Sequence, residues 1–183
     1  MANDDQHDRE HFATVLSEIL RGVPVVMLTA RLTDGSLRSM PMALARVPFD
    51  GVVWLFADPT AAAISELQTN SQVNVCHADA QQCRYVSLSG IAEVVHDRQQ
   101  AAALWNPDYR EWLPRGLQNP QDGLLRVTVQ HAEYWDATHS MMRQIGGLMM
   151  GVFTGTRPAV GDHESIDWDA GNTEAVNDSG PDK

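Results

Sequence analysis

The tight-turn signal Thr33-Asp34-Gly35-Ser36 separates two apolar segments, residues 23–31 and 37–46, and commits this part of the chain to a β-hairpin. Asp-Gly supplies the positive φ that a two-residue turn needs, and its backbone twist matches that of the strands it joins. Four more strand-like segments follow at residues 52–57, 73–77, 83–95 and 124–135, with Gly90 marking a bulge or bend in the longest of the first three. Six strands joined mostly by hairpins leave exposed edges unless they close. The expectation is therefore a mainly β (α+β) fold, a six-stranded antiparallel barrel with short flanking helices.

The helices announce themselves by spacing and caps. Phe12, Val15, Leu16, Ile19 and Leu20 recur at three- and four-residue intervals, which makes one apolar face over residues 9–20, and Gly22 stops it. Asp58 caps and Pro59 opens a helix reaching residue 67. Asp97 caps a short one through residue 104. A helical turn is expected at 109–113, and a glycine-bearing apolar helix at 140–152. This organises the chain into a disordered N-terminus (1–8), one domain (9–160) and an acidic, partly disordered tail (161–183).

The formal net charge of −11 belongs to the ends. Asp4, Asp5, Asp8 and Glu10 crowd the start, and seven acids lie in the last 23 residues, while the segment between is nearly balanced. Such a surface has no basic stripe for a phosphate backbone, which excludes nucleic acid as a partner. Lys183 is the only lysine, so Schiff-base chemistry and a phosphate-loop lysine are excluded, whereas arginine remains available for planar anions. The start is polar and acidic, and no apolar run is long enough to span a bilayer, so the expected compartment is the cytoplasm, without membrane association. Cys76 and Cys83 are expected to be buried free thiols. No histidine stands at metal-ligand spacing from another histidine or a cysteine, so no metal site is expected. Neither a Gly-x-Ser-x-Gly elbow nor a Gly-x-Gly-x-x-Gly loop occurs.

Several stretches taken in order resemble a known family. They are Met27-Leu28-Thr29 through the Asp34-Gly35 turn to Leu37-Arg38-Ser39-Met40-Pro41-Met42, then Val53-Trp54-Leu55-Phe56-Ala57-Asp58 and Asn74 within Ser71-Gln72-Val73-Asn74-Val75. Arg84-Tyr85-Val86-Ser87-Leu88-Ser89-Gly90, Leu104-Trp105-Asn106-Pro107, Trp112 and Glu133-Tyr134-Trp135-Asp136 complete the series. Together they resemble the FMN-binding split barrels related to pyridoxamine 5′-phosphate oxidase, in the branch of the bacterial general stress proteins. The resemblance implies a split β-barrel, a homodimer, and FMN held between the subunits. It also implies which residues hold the cofactor. Arg38, Ser39, Met40, Pro41 and Met42, with Phe56, Ala57 and Asp58, would line the flavin. Ala61 and Ala63 would meet the phosphate, and Tyr85, Ser87 and Trp135 would close the site, some of them from the second subunit.

The chain departs from the family pattern at the phosphate. Relatives usually carry Arg where Met40 stands, Ser where Ala61 stands and Lys where Ala63 stands. Each charge-assisted hydrogen bond is worth about 1.5–3 kcal/mol, so anchoring of the phosphate is expected to be weak. Three functions compete on this reading. One is an FMN-binding oxidoreductase or flavin reductase of the stress response. Another is a non-catalytic module that binds or stores a flavin or another small molecule, having lost tight FMN binding. The last is a purely structural or stress-related dimer with no ligand. No residue stands out as a catalytic acid or base.

Overall fold

A computed structural model of the protein describes residues 2–57, 64, 67, 69–111, 123–136 and 162–168. Helix α1 (Ala2–Leu20) leads into the strands β1 (Val25–Arg31), β2 (Leu37–Leu44), β3 (Val52–Ala57), β4 (Gln72–Asp79) and β5 (Arg84–Val95). Helix α2 (Arg98–Leu104) and a 3₁₀ turn (Pro107–Glu111) precede β6 (Gly123–Asp136) and β7 (Asp162–Asp167). The expected turn joins β1 to β2: Gly35 takes a φ of 84°, and the Asp34 carboxylate accepts from the Ser36 amide and hydroxyl at 2.8 and 2.6 Å. Asp97 caps α2 as expected, accepting from the amides of Gln99 and Gln100.

The closed six-stranded barrel expected from the sequence, the split β-barrel of the resemblance, is not what these strands form. Seven strands make one antiparallel sheet in the order β3-β2-β1-β4-β5-β6-β7, and the sheet is not closed into a barrel. What leaves an open edge is β7, added beyond β3 along β6, whose 14 residues outrun the six of β3. β3 makes an additional pairing with the first half of β6, over Gly123–Thr128. β7 takes the second half, from His131 to Asp136, and ends the sheet. The flanking helices are not both short either. α1 has 19 residues and begins at Ala2, so residues 2–8, expected to lack structure, extend the helix. The acidic segment 162–167, assigned to the tail, is strand β7. The helices expected at 58–67 and 140–152 lie outside the described residues, apart from buried Ile64 and Leu67.

The core follows the strand alternation. Val26, Leu28 and Ala30 of β1, Val73 and Val75 of β4, Val86 and Leu88 of β5, and Ala132 and Tyr134 of β6 all point inward. α1 covers this face with Phe12, Leu16 and Ile19, and the Phe12 and Tyr134 rings meet at 5.1 Å. β3 is buried on both sides. Val53 and Leu55 face the main core, while Phe56 joins Tyr109 and Trp105 in a second cluster beneath α2. Asp136 is the buried charge of the described residues, and the Arg84 Nε meets it at 3.1 Å, which offsets the cost of removing it from water. No helix among the described residues is long and apolar enough to cross a membrane.

Candidate functional site

The same alternation places every second residue of β1, β2, β4, β5 and β6 on the outer face of the sheet. Register makes two rows of them. Pro41, Met27, Cys76, Ser87, Glu133 and Ser165 lie side by side across six strands. One step along, Ser39, Thr29, Asn74, Ser89, His131 and Asp167 do the same. These rows are polar where the inner face is aliphatic, and their groups bond to one another. The Thr29 and Ser39 hydroxyls are 2.8 Å apart. The Asn74 amide nitrogen donates to Ser87 Oγ at 2.9 Å and to Ser89 Oγ at 3.1 Å, and its oxygen accepts from the Cys76 thiol at 2.5 Å. Beside them stand three large exposed side chains, Met27 (41% exposed), Tyr85 (39%) and Trp135 (38%). Tyr85 and Trp135 are direct cross-strand partners. Scattered exposed apolar residues are ordinary, but these three stand on one face beside the polar row.

The sequence-derived site residues separate into groups against this geometry. Tyr85, Ser87 and Trp135 come together on β5 and β6, and Ser39 and Pro41 share their face from β2, with β1 and β4 between. Arg38, Met40 and Met42 have the opposite parity. Met42 is buried in the main core, Met40 packs against that core, and Arg38 is exposed at the strand's end. Phe56 is 3% exposed and locked in the aromatic cluster, 5.0 Å from Tyr109 and 5.4 Å from Trp105. Ala57 ends β3 opposite Gly123. Asp58, Ala61 and Ala63 lie outside the described residues.

Sequence reasoning missed Thr29, Cys76 and Glu133 as parts of this face. Period-2 alternation places each of them outward, and the turn between β1 and β2 fixes the register that aligns Thr29 with Ser39. What sequence alone does not supply is the β1–β4 pairing, which puts Asn74 beside Thr29. Both cysteines are free, but neither is buried: Cys76 is half-buried on the outer face and Cys83 is exposed at a turn with a φ of 52°. Burial pushes the Cys76 thiol above its usual value, so it stays protonated. At the β7 end, His131 Nδ1 meets Asp167 Oδ1 at 2.6 Å and its Nε2 lies 3.6 Å from Glu133 Oε1, and these carboxylates, Asp167 foremost, raise its pKa. No group of three or more His, Cys, Asp or Glu side chains suited to a metal occurs among the described residues.

Comparison with known proteins gives this geometry a context. Residues 11–159 match the family described as pyridoxamine 5′-phosphate oxidase like. Protein bli-3 of Neurospora crassa is 27% identical over 154 residues, covering 79% of this chain and 73% of its own. A Clostridium acetobutylicum protein related to general stress protein 26 has a similar fold, with a TM-score of 0.64 at 17% identity over 88% of this chain and 97% of its own. A general stress FMN/FAD binding protein of Xanthomonas citri is 26% identical, with a TM-score of 0.57 over 69% of this chain and 89% of its own.

Proposed function

The chain belongs to the pyridoxamine 5′-phosphate oxidase-like family, in the fold of its general stress protein 26 branch, and on that premise we propose that it binds FMN on the outer sheet face, where two copies of the chain meet. The observation that carries this reading is the pairing of exposed Tyr85 and Trp135 beside the hydroxyl and amide row of Ser39, Thr29, Asn74, Ser87 and Ser89. An isoalloxazine has two apolar faces and an edge of carbonyl and ring-nitrogen groups. Aromatic side chains suit the first, and neutral hydrogen-bonding groups suit the second. The residues present therefore fit the ring. The Xanthomonas citri relative, whose name assigns it FMN or FAD, supports the same reading. Met27, Tyr85 and Trp135 are the apolar part of a surface that a second copy covers, as an isologous dimer requires.

When bound, FMN supplies the hydride or electron chemistry of an oxidoreductase or flavin reductase. The protein's part is to bind and orient the ring and to keep water from it. The fit is poorer at the phosphate. Met40 leans on the core and brings no charge to an anion, which leaves Arg38 as the basic group of the β2 segment. That observation favours the second reading, a module that binds or stores a flavin or other small molecule without turning it over.

Titration of the purified protein with FMN, followed by the visible absorption and fluorescence of the flavin, tests the proposal. Saturable binding at one site per chain, on a dimer in sedimentation, is expected. A monomer at micromolar concentration, or no binding, overturns it. Turnover of reduced nicotinamide with flavin present then separates the enzyme from the storage module.

A further inference from the structure

We propose that Asn74 sets the hydrogen-bond polarity of the outer face, making Ser87 and Ser89 donors toward an acceptor-bearing ring edge. The inference rests on the flavin-binding reading above and assigns a positioning role within it.

An asparagine amide has two N–H donors and one acceptor oxygen. Here both donors are used on serine oxygens across the β4–β5 ladder, at 2.9 and 3.1 Å, and the oxygen takes the Cys76 S–H. The thiol beside the oxygen matches this orientation of the amide. A serine oxygen that accepts from Asn74 keeps its own proton to give away. For Ser89 that proton is directed by whatever lies on the face. For Ser87 the cross-strand neighbour is Cys76, whose sulfur is the alternative on offer. Sulfur is a weak acceptor, so a carbonyl oxygen or ring nitrogen displaces it. The neighbouring Thr29–Ser39 pair extends the row across β1 and β2. Such a face favours a ligand edge rich in acceptors, because each serine keeps a proton to give.

Asn74→Asp is the discriminating change. It keeps size and shape but replaces the two donors with acceptors. The serine protons then turn to the carboxylate, and the face loses its donors. Riboflavin is the principal probe, because it carries no phosphate for the new charge to repel, with FMN alongside. The expected result is a loss of about ten- to a hundredfold in riboflavin affinity, the size of one or two hydrogen bonds. The flavin carbonyl stretch in the infrared, lowered in the wild-type complex, should move back up in the variant, and loss of packing alone does not produce that shift. In a Ser87→Ala, Ser89→Ala background, Asn74→Asp should change affinity by less than about twofold, since the groups it acts through are gone. Equal flavin binding by wild type and Asn74→Asp, or an undiminished effect in the double-alanine background, overturns the assignment while leaving the flavin reading in place. Wild-type protein that binds neither flavin overturns both.

Discussion

Gly90 of β5 packs against the Thr128 carbonyl of β6 so closely that a Cβ at this position would fall within it. The contact sits at a break in register. Ser89 pairs with His131 but Gly90 pairs with Val129, so Gln130 is the extra residue of the bulge. The Gln130 carbonyl accepts from the Trp168 amide at 2.7 Å, which ties the end of β7 to the bulge. Because the obstacle is backbone, no side-chain movement makes room. Gly90→Ala is therefore expected to destabilise the protein by about 1–3 kcal/mol, the usual penalty for overpacking. Urea denaturation of wild type and variant measures it, and an unchanged midpoint would show that the strands separate freely here.

The far side of Trp168 makes a second prediction. Its ring meets Phe49 at 5.0 Å, edge to face, and covers Gly51. The residues after it lie outside the described part of the structure. Truncation after Asp169 should leave the melting temperature within a few degrees of wild type, whereas Trp168→Ala should lower it clearly, by about 1–3 kcal/mol of lost ring packing. Thermal melts of the two variants should rank in that order. A truncation as damaging as the Trp168 substitution would place a packed segment beyond β7.

These two cases show where the sequence was informative. Gly90 was readable as a bulge because a glycine inside an apolar alternating run has few other reasons to be there, and the Asp34-Gly35 turn needed only local chemistry. β7 was not readable. Its residues, Asp162 to Asp167, are mostly polar and held in place by the β6 edge and by Trp168, a contact between distant parts of the chain. For the same reason strand number and closure are not legible in the sequence: how far β3 reaches along β6 is a property of pairing, not of either strand. At the candidate site, parity was legible but role was not. Phe56 and Met40 stand at positions the resemblance assigns to the flavin, yet β3 is buried on both sides and Met40 packs against the core, so these side chains sit in the core beside the face.

The His131 clamp gives stability a pH dependence of defined sign. Its hydrogen bond to Asp167, with a smaller contribution from Glu133, raises its pKa above the ordinary imidazole value. A group that holds its proton more tightly when folded stabilises the fold fully below its unfolded pKa of about 6.5, and that contribution fades as pH rises through the raised value. His77 works in the opposite direction, since burial lowers its pKa. The comparison must therefore be wild type against His131→Gln. The melting temperature advantage of wild type should be largest near pH 6 and should shrink toward about pH 9. The side chain is 41% exposed, so solvent screening keeps the effect small. A gap that is constant across this range would remove the clamp.

The phosphate end of the proposed flavin site gives the sharpest test of function. If Ala61 and Ala63 hold the positions where relatives carry Ser and Lys, FMN gains little over riboflavin in this protein, because its phosphate finds few partners. Ala61→Ser with Ala63→Lys should then raise FMN affinity by about ten- to a thousandfold, two contacts of about 1–3 kcal/mol each, while leaving riboflavin affinity unchanged. The third family position behaves differently. Met40 packs against the main core, so Met40→Arg must draw a guanidinium out of apolar surroundings before it can reach an anion. It should lower stability and add nothing to FMN affinity in the double variant. The ordinary alternative is that Arg38 with backbone amides already holds the phosphate. Parallel titrations of FMN and riboflavin against wild type, the double variant and the triple variant decide between them. Tight wild-type FMN binding, with a large preference over riboflavin and no gain in the double variant, would show that the phosphate site is intact without Ser and Lys.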